Sequence, residues 1–203
     1  TELNTYNRLY DYISGYGFTM PGYPQRSLFS IPFAGLNNEG LPTFYDPDGN
    51  ITVTGIDMQE YDPERLKFLK YEGPADPTDV GSLGNIFRYK NLTLNLFITY
   101  SFGNVVRLDP VFSSEYSDLS ATPKEFNNRW IKPGDEKFTN IPVIASRQQL
   151  NNLAYLSRAY QSYNYSTARV AKGDFIRMKE ISLAYEFPKT LTQPLHLSNL
   201  SLK

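Results

Sequence analysis

The stretch from Leu92 to Phe102 constrains this chain more than any other. One parity reads Leu92, Leu94, Leu96, Ile98, Tyr100, Phe102, and the other reads Thr93, Asn95, Phe97, Thr99, Ser101. A period of two is that of a strand with one apolar face. The length falls in the range of roughly 9–11 residues that lets a tilted strand cross a bilayer. Ile86-Phe87-Arg88-Tyr89 precedes it across Lys90-Asn91, so the two runs predict an antiparallel hairpin with a tight turn. A soluble sheet with a wet face and a transmembrane wall with a watery lumen share this pattern, and periodicity alone favours the soluble sheet because that architecture is the commoner.

A second long strand is predicted over 174–188. Ile181, Leu183, Tyr185 and Phe187 share one parity, opposite Glu180, Ser182, Ala184 and Glu186. Upstream the parity switches, because Ile176 and Met178 are apolar while Arg177 and Lys179 are charged. Either a bulge lies near Lys179-Glu180 or the strand leaves the apolar layer there. Leu197, Leu200 and Leu202 announce the next strand.

Composition narrows the classes. Among 203 residues there is no Cys and a single His, so disulfide frameworks, thiolate metal sites and multi-histidine centres are excluded. Lys+Arg 20 against Asp+Glu 21 gives a net charge of -1, which offers nothing to nucleic acid. Many aromatics, 16 Tyr and 13 Phe, accompany a mean hydropathy of -0.44, a pairing that suits a β-rich surface. No apolar run is long enough for a transmembrane helix and no leader is visible. Both ends read as cut, and the chain is expected to be a fragment.

Residues 1–80 are crowded with Pro and Gly, so short elements are expected. Leu3 to Ile13 reads as a short helix or an aromatic strand. Asp46-Pro47-Asp48-Gly49-Asn50, between Leu41–Tyr45 and Ile51–Thr54, predicts a hairpin turn. Asp62 and Pro63 predict the cap and first position of a helical turn. Residues 109–145 are irregular, and 146–160 carry helical spacing at Leu150, Leu153 and Ala154. A connection over 109–173 is far longer than ordinary loops and is expected to be functional.

Four segments, in order, resemble one family. They are Gly22-Tyr23-Pro24 followed by Phe33-Ala34-Gly35-Leu36 and Gly40-Leu41-Pro42; the hairpin of 84–103; Arg129-Trp130-Ile131-Lys132-Pro133-Gly134-Asp135-Glu136; and Asp174 to Pro188. Together they resemble SusC/RagA-type TonB-dependent outer-membrane transporters, over residues 20–203. Gln25-Arg26 after the first motif, Lys137 to Asn140 in the loop, and Ala184 in the strand depart from the family pattern.

The resemblance implies an all-β fold: antiparallel strands forming part of a 22-stranded transmembrane β-barrel in the outer membrane of a Gram-negative bacterium. Long extracellular loops would contain a short helix. Residues 1–203 would be a partial C-terminal barrel region, without the plug or last strands. A barrel of that size at about 10 residues per strand needs on the order of 220 residues in strands alone. The implied partners are outer-membrane lipid, a SusD-like surface lipoprotein, the TonB complex through the absent plug, and an oligosaccharide or peptide substrate. Import, without catalysis or cofactor, is the implied function. A soluble secreted β-rich carbohydrate-binding or adhesion module is the alternative.

Two sets of candidate residues follow. Leu92, Leu94, Leu96, Ile98, Tyr100, Phe102, Ile181, Leu183, Tyr185 and Phe187 are expected to face lipid, the aromatics, with Tyr89, forming interfacial girdles. Arg129, Trp130, Asp135 and Glu136 are a substrate- or partner-facing loop, or else Trp130 simply anchors that loop around a Pro133-Gly134 turn. Asp46, Asp48 and Asn50 lack EF-hand spacing. Asp135-Glu136 are adjacent, unlike a glycosidase pair drawn from separate strands. His196 reads as a surface residue.

Overall fold

The computed structural model describes residues 7–15, 17–111, 124–145, 154–198 and 200–203. The first part of the predicted 146–160 helix therefore lies outside the described residues. The chain divides into two compact units: Thr1–Asp76 with Asn104–Lys172, and Pro77–Gly103 with Gly173–Lys203.

The first unit is built of short elements: helix α1 (Leu9–Ile13) and strands β1 (Ser27–Ser30), β2 (Phe33–Leu36), β3 (Pro42–Tyr45) and β4 (Ile51–Thr52). Helix α2 (Pro63–Leu66) and strands β5 (Lys70–Pro74) and β8 (Val105–Arg107) follow, then helix α3 (Ala154–Asn164) and strand β9 (Val170–Lys172). The opening segment is thus helical over Leu9–Ile13, with Arg8 extended before it. Its first free N–H groups find partners elsewhere, Leu9 N donating to Glu60 O at 2.6 Å and Tyr10 N to Met58 O at 3.2 Å.

The Asp-rich turn forms the expected hairpin of β3 and β4. Asp46 Oδ1 accepts from Asp48 N at 2.9 Å and Asn50 N at 2.8 Å, so this carboxylate caps backbone donors. Asp62 caps α2 as read, accepting from Glu64 N at 3.0 Å with Pro63 at the first helical position.

Apolar burial makes these pieces one unit. Leu9, Ile13, Ile31 and Phe44 share a core with Val111, Phe126, Ala159 and Tyr163, so the chain before residue 76 and the long connection fold together. A second cluster joins Leu41, Ala145, Leu156 and Tyr160. Arg169, 2 % exposed, ties the connection internally. Its Nη2 donates to Asp109 O at 2.5 Å and to Glu125 Oε1 at 2.6 Å.

The second unit is a four-stranded antiparallel sheet. It contains β6 (Asp79–Tyr89), β7 (Leu92–Phe102), β10 (Phe175–Glu186) and β11 (Ser201–Leu202), in the order β11-β10-β7-β6. Helix α4 (Lys189–Thr192) lies between β10 and β11. The hairpin turn is at Lys90-Asn91, with Lys90 at φ 54°, a primed-turn conformation that matches strand twist.

Strand β6 begins seven positions before the expected Ile86, at Asp79. The reason lies across the ladder. Gly81 faces Tyr100 and Gly84 faces Phe97, so aromatic rings of β7 cover the glycines that made this segment look like a loop.

Strand β10 pairs with β7 through a one-residue register shift. Met178 sits opposite Ile98 and Glu180 opposite Phe97, leaving Lys179 as the extra residue. The parity switch in the sequence is therefore a bulge and not a departure from the layer.

Candidate functional site

Ladder partners in an antiparallel sheet point to the same side. On one face, the β7 row Leu92, Leu94, Leu96, Ile98, Tyr100 is flanked by Tyr89, Phe87, Asn85, Leu83, Gly81 on β6 and Tyr185, Leu183, Ile181, Met178, Ile176 on β10. The face is almost wholly apolar across three strands. It is also bare: Ile176 is 70 % exposed, Ile181 67 %, Leu83 64 % and Leu183 55 %. Leu94, Leu96, Ile98, Phe102 and Phe187 are half-buried by their neighbours. Among the described residues, both apolar cores belong to the first unit and neither lies within the sheet's own unit.

Aromatics gather at the two ends of this face. Tyr100 and Phe102 stack at 5.3 Å, while Tyr185 and Phe187 meet edge to face at 5.2 Å beside the Tyr89 end. From Leu92 to Tyr100 the strand runs roughly 27 Å at ~3.4 Å per residue.

The opposite face is polar at its centre. Glu180 Oε1 accepts from Asn95 Nδ2 at 2.9 Å and from Ser182 Oγ at 3.2 Å. Arg177 lies over the Phe175 ring at 4.9 Å. The bulge at Lys179 is what keeps Ile176 and Met178 off this side.

Tyr89 is among the aromatics expected at the interface, whereas Leu83, Phe87, Ile176 and Met178 were not foreseen as members of the apolar face. Alternation through Leu83, Phe87 and Tyr89 was a usable signal, obscured by Gly81 and Gly84. For Ile176 and Met178 the signal was the parity switch itself.

The loop residues form a separate cluster in the first unit. Trp130 is 8 % exposed, and its Nε1 donates to Glu136 Oε2 at 3.1 Å. Gly134 N donates to the same oxygen at 2.8 Å. Asp135 Oδ2 accepts from Ile131 N and Lys132 N, each at 3.1 Å. Arg129 donates to Phe126 O at 3.3 Å and lies over the Phe126 ring. The four residues are thus engaged with their own loop. Hydrogen bonds from the backbone N–H of Glu136, from Trp130 and from Gly134 hold the Glu136 carboxyl below its ordinary range.

Two motifs that are far apart in sequence meet here. Gly40 has φ 77°, and a Cβ on it would run into the Trp130 ring. Trp130 N donates to Ile141 O at 2.9 Å and Val143 N to Gly40 O at 3.0 Å, which staples the loop to the Gly40-Leu41-Pro42 turn. The loop exposes two large apolar side chains, Ile131 at 67 % and Phe138 at 89 %, beside the exposed Lys132, Lys137 and Asn140. Among the described residues no group of His, Asp or Glu is placed to hold a metal ion.

Mostly antiparallel strands with few helices match the class of fold of a fragment of a TonB-dependent barrel. Comparison with known proteins points the same way. The chain is 27 % identical over 126 residues to a TonB-dependent receptor of Formosa agariphila, a match covering 60 % of this chain and 11 % of that protein. Three solved structures share the fold at 20 % identity over 86 % of this chain. They are the RagAB peptide importer in its open-open state (TM-score 0.52, 18 % of that chain), in its closed-closed state (0.51, 19 %), and the RagAB peptide transporter (0.53, 18 %). No family model matches. The chain thus spans about a tenth of the curated relative's length. In motif order, sequence match and fold, it resembles a fragment of a SusC/RagA-type TonB-dependent transporter.

Proposed function

We propose that this chain supplies part of the wall and of the outer loops of an outer-membrane TonB-dependent nutrient importer. The observation that carries the reading is the apolar face of β6, β7 and β10, continuous through the bulge and uncovered within its own unit. In a closed barrel such a face meets lipid, and the Asn95–Glu180–Ser182 side lines a watery lumen. Its span between aromatic rows is of the order of the ~25 Å apolar band of outer-membrane barrels.

In this reading the strands belong to a 22-stranded barrel near its C-terminal end, and residues 109–173 lie in an extracellular loop region. The set Leu92, Leu94, Leu96, Ile98, Tyr100, Phe102, Ile181, Leu183, Tyr185 and Phe187 faces lipid or its interface. The TonB complex acts through a plug outside this segment, and a SusD-like surface lipoprotein covers the barrel. The loop of Arg129, Trp130, Asp135 and Glu136 faces outward and offers Ile131 and Phe138 to partner or substrate, which is an oligosaccharide or a peptide.

The test is a charge placed on either side of β7 in the full-length protein in outer membranes. Leu96→Arg is expected to destabilise the folded barrel by about 2–4 kcal/mol, as for a charge near the bilayer midplane, and Asn95→Arg by much less. Denaturant midpoints of the heat-modifiable gel band read this difference. Equal tolerance at both positions contradicts a lipid-facing wall.

A further inference from the structure

We infer that the first unit carries a binding pocket for an aromatic amino acid, free or at the end of a short peptide. A pocket of about 370 Å³ lies among Tyr12, Met20, Tyr23, Phe29, Leu66 and Leu69, with Glu64 and Lys67 at its mouth. That volume falls in the range of small-molecule sites. The walls are aromatic and aliphatic, and they are braced. Tyr23 meets Phe29 edge to face at 5.1 Å and Tyr71 at 4.9 Å. Tyr12 is 4 % exposed and hydrogen-bonded to Asn7. Tyr23 belongs to the Gly22-Tyr23-Pro24 motif, which neither the apolar wall nor the Trp130 loop uses.

The polar groups select the occupant. An oligosaccharide needs several convergent donors and acceptors around its hydroxyls, and these walls supply almost none. The mouth carries one cation and one anion, Lys67 Nζ and Glu64 Oε2, at 2.6 Å from each other. Both side chains are mostly exposed, and a surface pair of this kind opens at little cost. A zwitterion complements them, its ammonium toward Glu64 and its carboxylate toward Lys67, with the aromatic side chain placed against the accessible Tyr23 ring and the half-buried Met20 and Leu69. Stacking there contributes specificity beyond area alone. The role of this site as a capture point during import rests on the transporter reading above. The binding itself does not.

The experiment is calorimetric titration of the full-length protein in detergent with L-tryptophan, N-acetyl-L-tryptophanamide and maltotriose. Tryptophan and the amide are expected to bind and maltotriose is not. Tyr23→Ala is expected to weaken both aromatic ligands about tenfold. Met20→Trp, which fills the pocket, abolishes both and controls for a folding defect in the first variant. Lys67→Gln and Glu64→Gln weaken tryptophan about threefold and leave the uncharged amide unchanged. No aromatic binding, affinity unaltered by Tyr23→Ala and Met20→Trp, or competition by maltotriose overturns the proposal. A failed titration alongside unequal tolerance of Leu96→Arg and Asn95→Arg removes the pocket alone. Equal tolerance with intact titration removes the barrel reading alone.

Discussion

Trp130 shows how much a motif's chemistry depends on what surrounds it. In sequence, an aromatic beside Asp135 and Glu136 offers stacking and hydroxyl bonding. In the fold, the ring is buried over Gly40, and each carboxylate holds donors of its own loop. The spacing is explained by this closure: Pro133-Gly134 turns the chain so that residue 136 reaches back to the indole and residue 135 to two backbone N–H groups. Gly40→Ala places a Cβ against the ring at a positive φ, so a loss of about 1–3 kcal/mol is expected in the folded loop. A shifted fluorine resonance of fluorotryptophan at position 130, assigned with Trp130→Phe, reads that loss. An unshifted resonance and unchanged melting would contradict the packing described. Glu136 gives a pH prediction. Its native carboxyl titrates below the unfolded one, so its contribution to the loop is full above the ordinary value of about 4.3 and is lost as pH falls through the lowered native value. The same resonance should hold through the ordinary glutamate range and move only below it, and Glu136→Gln should remove that dependence.

Among the elements, β7 was legible from alternation alone because all six positions of one parity are apolar and Phe97 is the single apolar residue of the other. Its neighbours obeyed that rule with exceptions, and each exception has a physical cause. Gly81 and Gly84 weaken β6 as a strand by propensity, yet the Tyr100 and Phe97 rings fill the space their side chains lack. In β10 the extra residue is Lys179, and the pairing of Met178 with Ile98 and of Glu180 with Phe97 keeps both flanking segments in phase. Deleting Lys179 therefore leaves Ile176, Met178, Ile181 and Leu183 on one face in a regular strand. Deleting Ser182 puts one side of β10 out of phase with the other. The first deletion is expected to retain the folded, heat-modifiable form of the full-length protein and the second to lose it. The opposite ranking would refute the register. Outside the sheet, the Asp46 turn and the Asp62 cap were readable because their chemistry is local. The union of residues 9–71 with the long connection was not, because no local pattern records which distant apolar side chains share a core.

For the whole molecule, the chain divides its apolar residues in two ways. The first unit hides Leu9, Ile13, Phe44 and Tyr163 in a core of its own, as any water-facing body does. The second leaves Leu83, Ile176, Ile181 and Leu183 uncovered in its sheet. Low mean hydropathy with many aromatics is the average of these two designs. The account stands or falls on what touches the uncovered face in the intact protein. Spin labels at Leu94, Leu96 and Ile98, and at Thr93, Asn95 and Thr99, in the full-length protein in outer-membrane lipid report this through collision with oxygen or with a water-soluble nickel chelate. The account predicts alternation along β7, with the first set accessible to oxygen and the second to nickel, and with Ile176 and Ile181 joining the first set across the bulge. Labels in the first set shielded from both reagents would mean that another layer of protein covers the face, and would contradict it.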